Sequence, residues 1–526
     1  MTRPVGREDG GPGRVARGLA RLETPFSRVF GDGVNPFHHL GALAIYFLYV
    51  ALVTGIYLFV FYRTSLQGAW PSVEAITHDQ PYAGGIMRSL HRFASDAAVL
   101  MIVLHLLREL IRGRFTGPRW FSWITAMPLI WIIFAFGVTG YWMVWDELAQ
   151  YVAIGTARML DWLPIITEPM SRSFLDNDSV SSRLFTLIAF LHLVGLPIAC
   201  VLSIWFHLLR VRYPRINPPR RLMAGSLMAM LALALVFPVT SHPPADLGRP
   251  VGPLAIDWFY LAGFPLLSLT SESLLWALSG GGTLMLAALP WIAPHRRDPV
   301  AAVYLPDCSG CTFCAEDCPY GAIDMVPRSD GRNFEFEARV NSSLCVSCGI
   351  CTGSCPSSSP FRQREPLTTG IEMPHYPVES LRTAIDHRGD TAENALVIFG
   401  CDYAVRAERF DSDFVHSIAV PCIGLVPPAA IDYAMRSTGY RGVVLSGCEG
   451  CDCYHRLGNR WTEERIERIR RPGLRGRVDR ERLLTVWLKA GDAGEFGRRL
   501  DAFGSGLGVS AGTGDSQDGA GAPQCS

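Results

Sequence analysis

The chain has 526 residues, 49% of them hydrophobic, and its 48 Lys and Arg balance 48 Asp and Glu. That length allows several domains, and a neutral balance with no basic, aromatic-interleaved stripe gives no support for nucleic-acid binding. The averages conceal a division: 39–293 holds long apolar runs, whereas 294–526 holds most of the acids and nearly all of the Cys, only Cys200 of 15 lying before Cys308.

Residues 1–38 read as an N-terminal cytoplasmic arm. They carry several Arg but no apolar core, so they do not read as a secretory signal. Six segments are then long and apolar enough to span a bilayer, at 39–62, 88–111, 120–143, 184–209, 222–240 and 273–292. Arg clusters precede the first span, lie between the second and third and between the fourth and fifth, and follow the sixth. The connection at 144–183 is acidic. The positive-inside rule therefore expects both termini, and everything after the last span, on the cytoplasmic side of a bacterial inner membrane.

Four His lie inside these spans. His91 and His105 are 14 residues apart on the second, and His192 and His207 are 15 apart on the fourth. At 100° per residue each pair shares one helix face, its members separated by about 21 Å along the axis. Two such helices can clamp two b-type haems, His91 with His192 near the periplasmic surface and His105 with His207 near the cytoplasmic one. Polar His bonded between helices is the alternative, but intramembrane ionisable residues are functional by default. Gly41 and Gly55 on the first span are also 14 apart, as close contact with two haem faces requires.

The stretches VNPFHHLG, MRSLHRFAS, LHLLR, FGVTGYWMVWD and FLHLVGLP resemble cytochrome b of the quinol oxidase complexes, closest to the chloroplast type. The resemblance covers about 30–297. It implies Arg88 and Arg108 near haem propionates, a periplasmic quinol pocket lined by Gly137 to Asp146, and a homodimer through this part of the chain. Where the family has Pro-Glu-Trp-Tyr, the chain has Ile256, Asp257, Trp258 and Phe259, which makes Asp257 the quinone-site acid. His39 stands where the chloroplast protein anchors an extra haem through Cys, so no covalent third haem is expected. Ala126 replaces a haem-packing Gly of the third span. A second candidate quinone site lies on the cytoplasmic side, with Arg212 and His39.

After a short link, Cys308 to Pro356 contains C-x2-C-x2-C-x3-C-P twice. That spacing holds [4Fe–4S] cubanes, the fourth Cys of each run ligating the other run's cluster. One cluster falls to Cys308, Cys311, Cys314 and Cys355, the other to Cys345, Cys348, Cys351 and Cys318. Disulfides or structural zinc are the alternatives, against which two full copies, each ending Cys-Pro, weigh. The stretch resembles a bacterial two-cluster ferredoxin.

A connector at 363–384 leads to alternating apolar β-type runs at 395–400, 417–422, 442–448 and 483–488, with helical patterns around 425–438 and 460–470. That pattern predicts a small α/β domain, 385–502, with a parallel sheet. Cys401, Cys422 and Cys448 each end a strand, so they converge on one sheet edge, and Cys451 and Cys453 follow on the next loop. Four or five thiols there suit a [2Fe–2S] cluster; buried free Cys is the alternative. The loop GCEGCDCYHRLGN resembles that of the delta subunit of methyl-viologen-reducing hydrogenase, Cys448 and Cys453 matching its two Cys. The resemblance implies a heterodisulfide-reductase-like flavin and iron–sulfur partner. The tail 503–526 reads as disordered.

The expected architecture is thus multidomain: an all-α bundle of six transmembrane helices over 39–297, a two-cluster α+β ferredoxin domain over 298–362, and the α/β domain. The expected function is a membrane electron-transfer subunit of a quinone-linked oxidoreductase. It would use two b haems, two [4Fe–4S] clusters and one [2Fe–2S] cluster, with quinone as the exchangeable substrate. Alternatives are a hydrogenase-type assembly and a non-catalytic membrane anchor.

Overall fold

The computed structural model describes residues 14–164, 168–177, 179–292, 299–358, 361, 365–387 and 395–509. Contacts divide the chain into two compact units. One comprises Val34–Leu209 with Pro214–His295, and the other Met1–Gly33, Arg210–Tyr213 and Arg296–Ser526.

The first unit is helical. Among the described residues four of its helices are long and apolar enough to cross a membrane: Leu40–Phe61, Trp120–Val144, Ser182–Leu208 and Glu272–Ile292. Two further helices, Ile86–Ile111 and Arg220–Val236, occupy the other expected spans. The former carries Arg88, Arg92, Asp96, Arg108 and Glu109, and the latter has 17 residues. Outward faces are apolar, with Leu52, Val53, Ile56, Ile198, Val201 and Leu284 exposed, as a hydrocarbon surround requires. Ala94 and Ala98 are fully buried where Ile86–Ile111 packs on Leu40–Phe61, small side chains letting the two backbones approach. Indole N–H groups tie the last helix to its neighbours. Trp123 donates to Leu286 O at 2.7 Å, Trp276 to Met159 O at 2.8 Å, and Trp131 to Thr283 Oγ1 at 3.3 Å.

The 144–183 connection holds an unexpected helix, Glu147–Asp161. Asp146 caps it, accepting from Ala149 N, and also accepts from His242 N at 3.0 Å. A shorter helix, Ala69–His78, follows the first span.

Among its described residues the second unit contains eight strands. β1 (Ala302–Val303) pairs with β4 (Ile371–Glu372), and β2 (Ile323–Pro327) forms an antiparallel pair with β3 (Phe336–Val340). β5 (Leu396–Cys401), β6 (Val415–Val420), β7 (Gly442–Gly447) and β8 (Leu483–Trp487) form one parallel sheet in the order β6-β5-β7-β8. The interior strands β5 and β7 are buried throughout, which explains their near-continuous apolar runs. The stretch expected as a connector holds β4 and the start of the helix Val378–Asp386. The helix Ala493–Gly506 runs into the region expected as disordered, because Phe503, Leu507 and buried Val509 pack on the sheet. Residues 510–526, with Cys525, lie outside the described residues.

Leu445, fully buried in β7, tests this core. Leu445→Ala is expected to destabilise the second unit by about 2–5 kcal/mol, read from denaturant unfolding followed by Trp461 and Trp487 fluorescence.

Candidate redox-cofactor sites

In the helical unit His91 and His192 face each other, ring centroids 6.4 Å apart and planes at 61°. His192 sits in a π-turn, Leu191–Gly195, within the fourth long helix; such turns re-aim side chains and recur at functional sites. His105 and His207 are electrostatic neighbours. Hydroxyls orient three of the rings. Thr139 Oγ1 lies 2.9 Å from His192 Nδ1, Thr54 Oγ1 3.3 Å from His91 Nδ1, and Thr125 Oγ1 3.4 Å from His207 Nδ1. His91 Nδ1 is also 2.8 Å from Ala51 O. Engaging Nδ1 leaves Nε2 as the nitrogen available to a ligand.

Glycines make room for the rings. A Cβ on Gly55 would stand 3.0 Å from His91 Cε1, one on Gly140 3.2 Å from His192 Cε1, and one on Gly41 3.5 Å from His105 Cε1. Gly41 and Gly55 thus adjoin the two His of the second span, one each. The Thr hydroxyls and Gly140 were not anticipated. A signal existed for two of them, since Thr125-Ala126 and Thr139-Gly140 repeat at 14 residues, the His spacing.

Arg88 donates to Thr77 Oγ1 at 2.5 Å and Ser241 Oγ at 2.7 Å, and Arg108 is buried 3.8 Å from Glu109. Asp257 is 8% exposed, not an open loop acid. Its Oδ2 accepts from Tyr141 OH at 2.7 Å and pairs with Arg92 at 3.0 Å, and its Oδ1 accepts from Phe259 N. Arg92 also pairs with Asp96 at 3.0 Å. Tyr260, one residue beyond the expected aromatic position, is buried on Gly137 with its OH 2.6 Å from Ser95 Oγ. Arg212 belongs to the other unit, where its N–H donates to Pro319 O and its guanidinium to Ala315 O.

In the second unit the eight ferredoxin-type Cys fall into two interleaved groups. Cys308, Cys311, Cys314 and Cys355 are mutual neighbours, as are Cys318, Cys345, Cys348 and Cys351. The second group lines one shared, mostly apolar pocket. Cys314 rides on the helix Phe313–Asp317 and Cys351 on Ile350–Ser354. Gly310, at φ +65°, turns the chain where any Cβ would collide with Phe336 O. Ala322 N lies 3.3 Å from Cys318 Sγ. Among the described residues no group of three His, Cys, Asp or Glu is tight enough for one mononuclear ion; a cubane instead spreads four thiolates over separate irons.

A third group gathers at the sheet edge. Cys401 Sγ is 3.8 Å from Cys448 Sγ, and Cys448 is hydrogen-bonded to Cys453. Cys422 adjoins Cys453, and a Cβ on Gly458 would collide with Cys422 Sγ. All four are buried. The side chain of Cys451 lies outside the described residues. Tyr403 and Tyr454 stack beside the pocket at 3.6 Å, with His455 edge-on to both.

Burial raises the thiols of Cys314, Cys348, Cys351 and Cys422 above the usual thiol range. The hydrogen bond with Cys448 and then burial raise Cys453. Ligation needs thiolates, so all three pockets suit a cationic metal group that replaces the thiol protons.

Three family models match the chain in succession. Residues 26–214 match cytochrome b/b6/petB, 307–359 the 4Fe-4S dicluster domain, and 399–508 the delta subunit of methyl-viologen-reducing hydrogenase. The expected fusion is therefore present, in the expected order. The cytochrome b match stops at 214, leaving Asp257 and the last two long helices outside it. A solved structure named "Hyperthermophilic respiratory Complex III" is similar at 15% identity and TM-score 0.40, covering 52% of this chain and 80% of its own. The cytochrome b segment implies haem b and the dicluster segment [4Fe–4S] clusters. With the delta-subunit segment they support a membrane electron-transfer subunit.

The glycine contacts make a test. Gly55→Leu is expected to displace His91 and lower the pyridine haemochrome signal per chain.

Proposed function

We propose that this chain passes electrons between a cytoplasmic flavin and iron–sulfur oxidoreductase, of heterodisulfide-reductase-like type, and the membrane quinone pool. The observation that carries the reading is the set of redox-type ligand groups on one chain: two interleaved thiol cages, a four-thiol pocket, the facing His91–His192 pair and the neighbouring His105 and His207. Haem b and iron–sulfur groups carry single electrons, so the two-electron chemistry belongs to the quinone and a partner's flavin.

In this reading His91 with His192, and His105 with His207, ligate two b haems, with Thr54, Thr125 and Thr139 holding ring orientation. Cys308, Cys311, Cys314 and Cys355 hold one [4Fe–4S] cluster. Cys318, Cys345, Cys348 and Cys351 hold the second. Cys401, Cys422, Cys448 and Cys453 hold a [2Fe–2S] cluster. Asp257 takes a proton from quinol, Tyr141 and Arg92 aiming its carboxylate. Both termini and the iron–sulfur parts face the cytoplasm, and the membrane part forms a homodimer. A hydrogenase-type assembly is the second reading, favoured by the match to the delta subunit of methyl-viologen-reducing hydrogenase; the subunits that copurify decide between the two.

Intact protein is expected to yield two haems and about ten cluster irons per chain. His91→Ala or His192→Ala should remove one haem, and His105→Ala or His207→Ala the other. Cys448→Ser or Cys453→Ser should abolish the [2Fe–2S] paramagnetic resonance signal and keep both cubanes. A single haem, or an unchanged spectrum in both Cys variants, overturns the assignment.

Haem reduction by a quinol analogue in purified membranes tests the acid. Asp257→Asn is expected to slow it by about 100-fold or more. An unchanged rate puts quinol oxidation elsewhere, and no haem reduction by quinol in the unmodified protein leaves a non-catalytic anchor.

A further inference from the structure

The Cys422–Leu425 turn of the sheet domain is packed into the dicluster segment with no side-chain layer between them. A Cβ on Gly353 would collide with Gly424 O, and one on Gly349 with the Leu425 side chain. From the other side, a Cβ on Gly424 would stand 2.9 Å from Ile350 Cγ1. Gly349 and Gly353 flank Cys351, and Cys348 precedes them. Cys348, Ile350, Cys422, Leu457 and Trp461 form one buried cluster. The four-thiol pocket thus abuts the cage of Cys318, Cys345, Cys348 and Cys351.

One side chain bolts this junction. Arg465, 1% exposed, projects from the helix Gly458–Ile466. It donates to Gly424 O at 3.1 Å, and on the dicluster side to Asp317 Oδ2 and Ser354 Oγ, both at 2.5 Å. Asp317 immediately precedes Cys318, and Ser354 immediately precedes Cys355. Arg470 takes the other Asp317 oxygen at 2.6 Å and stacks over Trp461, whose indole donates to Asp317 O at 3.0 Å. A guanidinium is suited to this task because its planar fork serves several acceptors at once.

We propose that Arg465 is the positioning residue that locks the four-thiol pocket against the Cys318, Cys345, Cys348 and Cys351 cage, so that groups held in the two are directly spin-coupled. The inference rests on the reading that both pockets hold iron–sulfur groups. It makes the second cage the immediate neighbour of the pocket, and it gives Gly353 and Gly424 a role in setting that distance.

The test uses full-length, loaded protein, its cluster iron counted and its fully reduced state examined by paramagnetic resonance. Native protein is expected to show splitting and enhanced relaxation of the pocket's signal. Arg465→Met removes the clamp, and Gly353→Ala wedges the junction while keeping every charged side chain and every thiol, its Cβ pressing on Gly424 O and Arg465 Nη1. Both are expected to keep about ten cluster irons while the splitting is lost and the relaxation enhancement falls severalfold, because dipolar coupling weakens steeply with distance. If either variant loses iron, the other decides. Native coupling preserved in a fully loaded variant, or no coupling in fully loaded native protein, overturns the proposal. Native protein with about eight cluster irons and no third signal instead overturns the reading beneath it.

Discussion

A guanidinium taken out of water demands charged and polar partners, and Arg465 imposes that demand where two family segments meet. Its acceptors come from three separate stretches: Asp317, Ser354 and Gly424. Removing one partner of such a buried pair costs about 3–5 kcal/mol. The helix carrying Asp317, the helix carrying Ser354 and the turn after Cys422 therefore cannot drift independently. Arg465, with Arg470 and Trp461 also on Asp317, ties the two segments together, and the glycines beside it remove the side chains that would keep the backbones apart.

The helical unit obeys the same accounting in a still less forgiving medium. Many of its polar groups are engaged internally: Arg92 between Asp96 and Asp257, Arg88 between Thr77 and Ser241, three indoles on carbonyl or hydroxyl oxygens, three His nitrogens beside Thr hydroxyls. Hydrocarbon offers no alternative partner, so each bond also specifies which helices are neighbours. Arg92 joins the second span to the Asp257 loop, and Tyr260 seals that loop onto Gly137 through a contact only glycine permits.

Much of this was legible in the sequence where chemistry demands a spacing. The C-x2-C-x2-C-x3-C-P pattern dictates the Cys intervals, and sharing one helix face constrains the intervals between His91 and His105 and between His192 and His207. Parallel strands buried on both faces dictate apolar runs such as LVIFG. What escaped had no spacing of its own. Arg465, Arg92 and Tyr260 matter through partners scores of residues away, and an isolated Arg or Tyr reads as surface. The helix Glu147–Asp161 was hidden because its polar face made the connection look merely acidic. The helix past residue 502 was hidden because Gly and Ser dominate there, while Phe503, Leu507 and Val509 hold it to the sheet.

The Arg465–Asp317 pair closes a sequence separation of 148 residues. Contacts so distant along the chain form late, after the loop-closure entropy of the intervening segment has been overcome. The Phe313–Asp317 helix carrying Cys314 is made long before the residue that completes its surroundings, and β5 through β7 are laid down in between. During synthesis the dicluster loops therefore exist for a time without their lid, and the final enclosure of the second cage coincides with the sheet domain reaching its native topology.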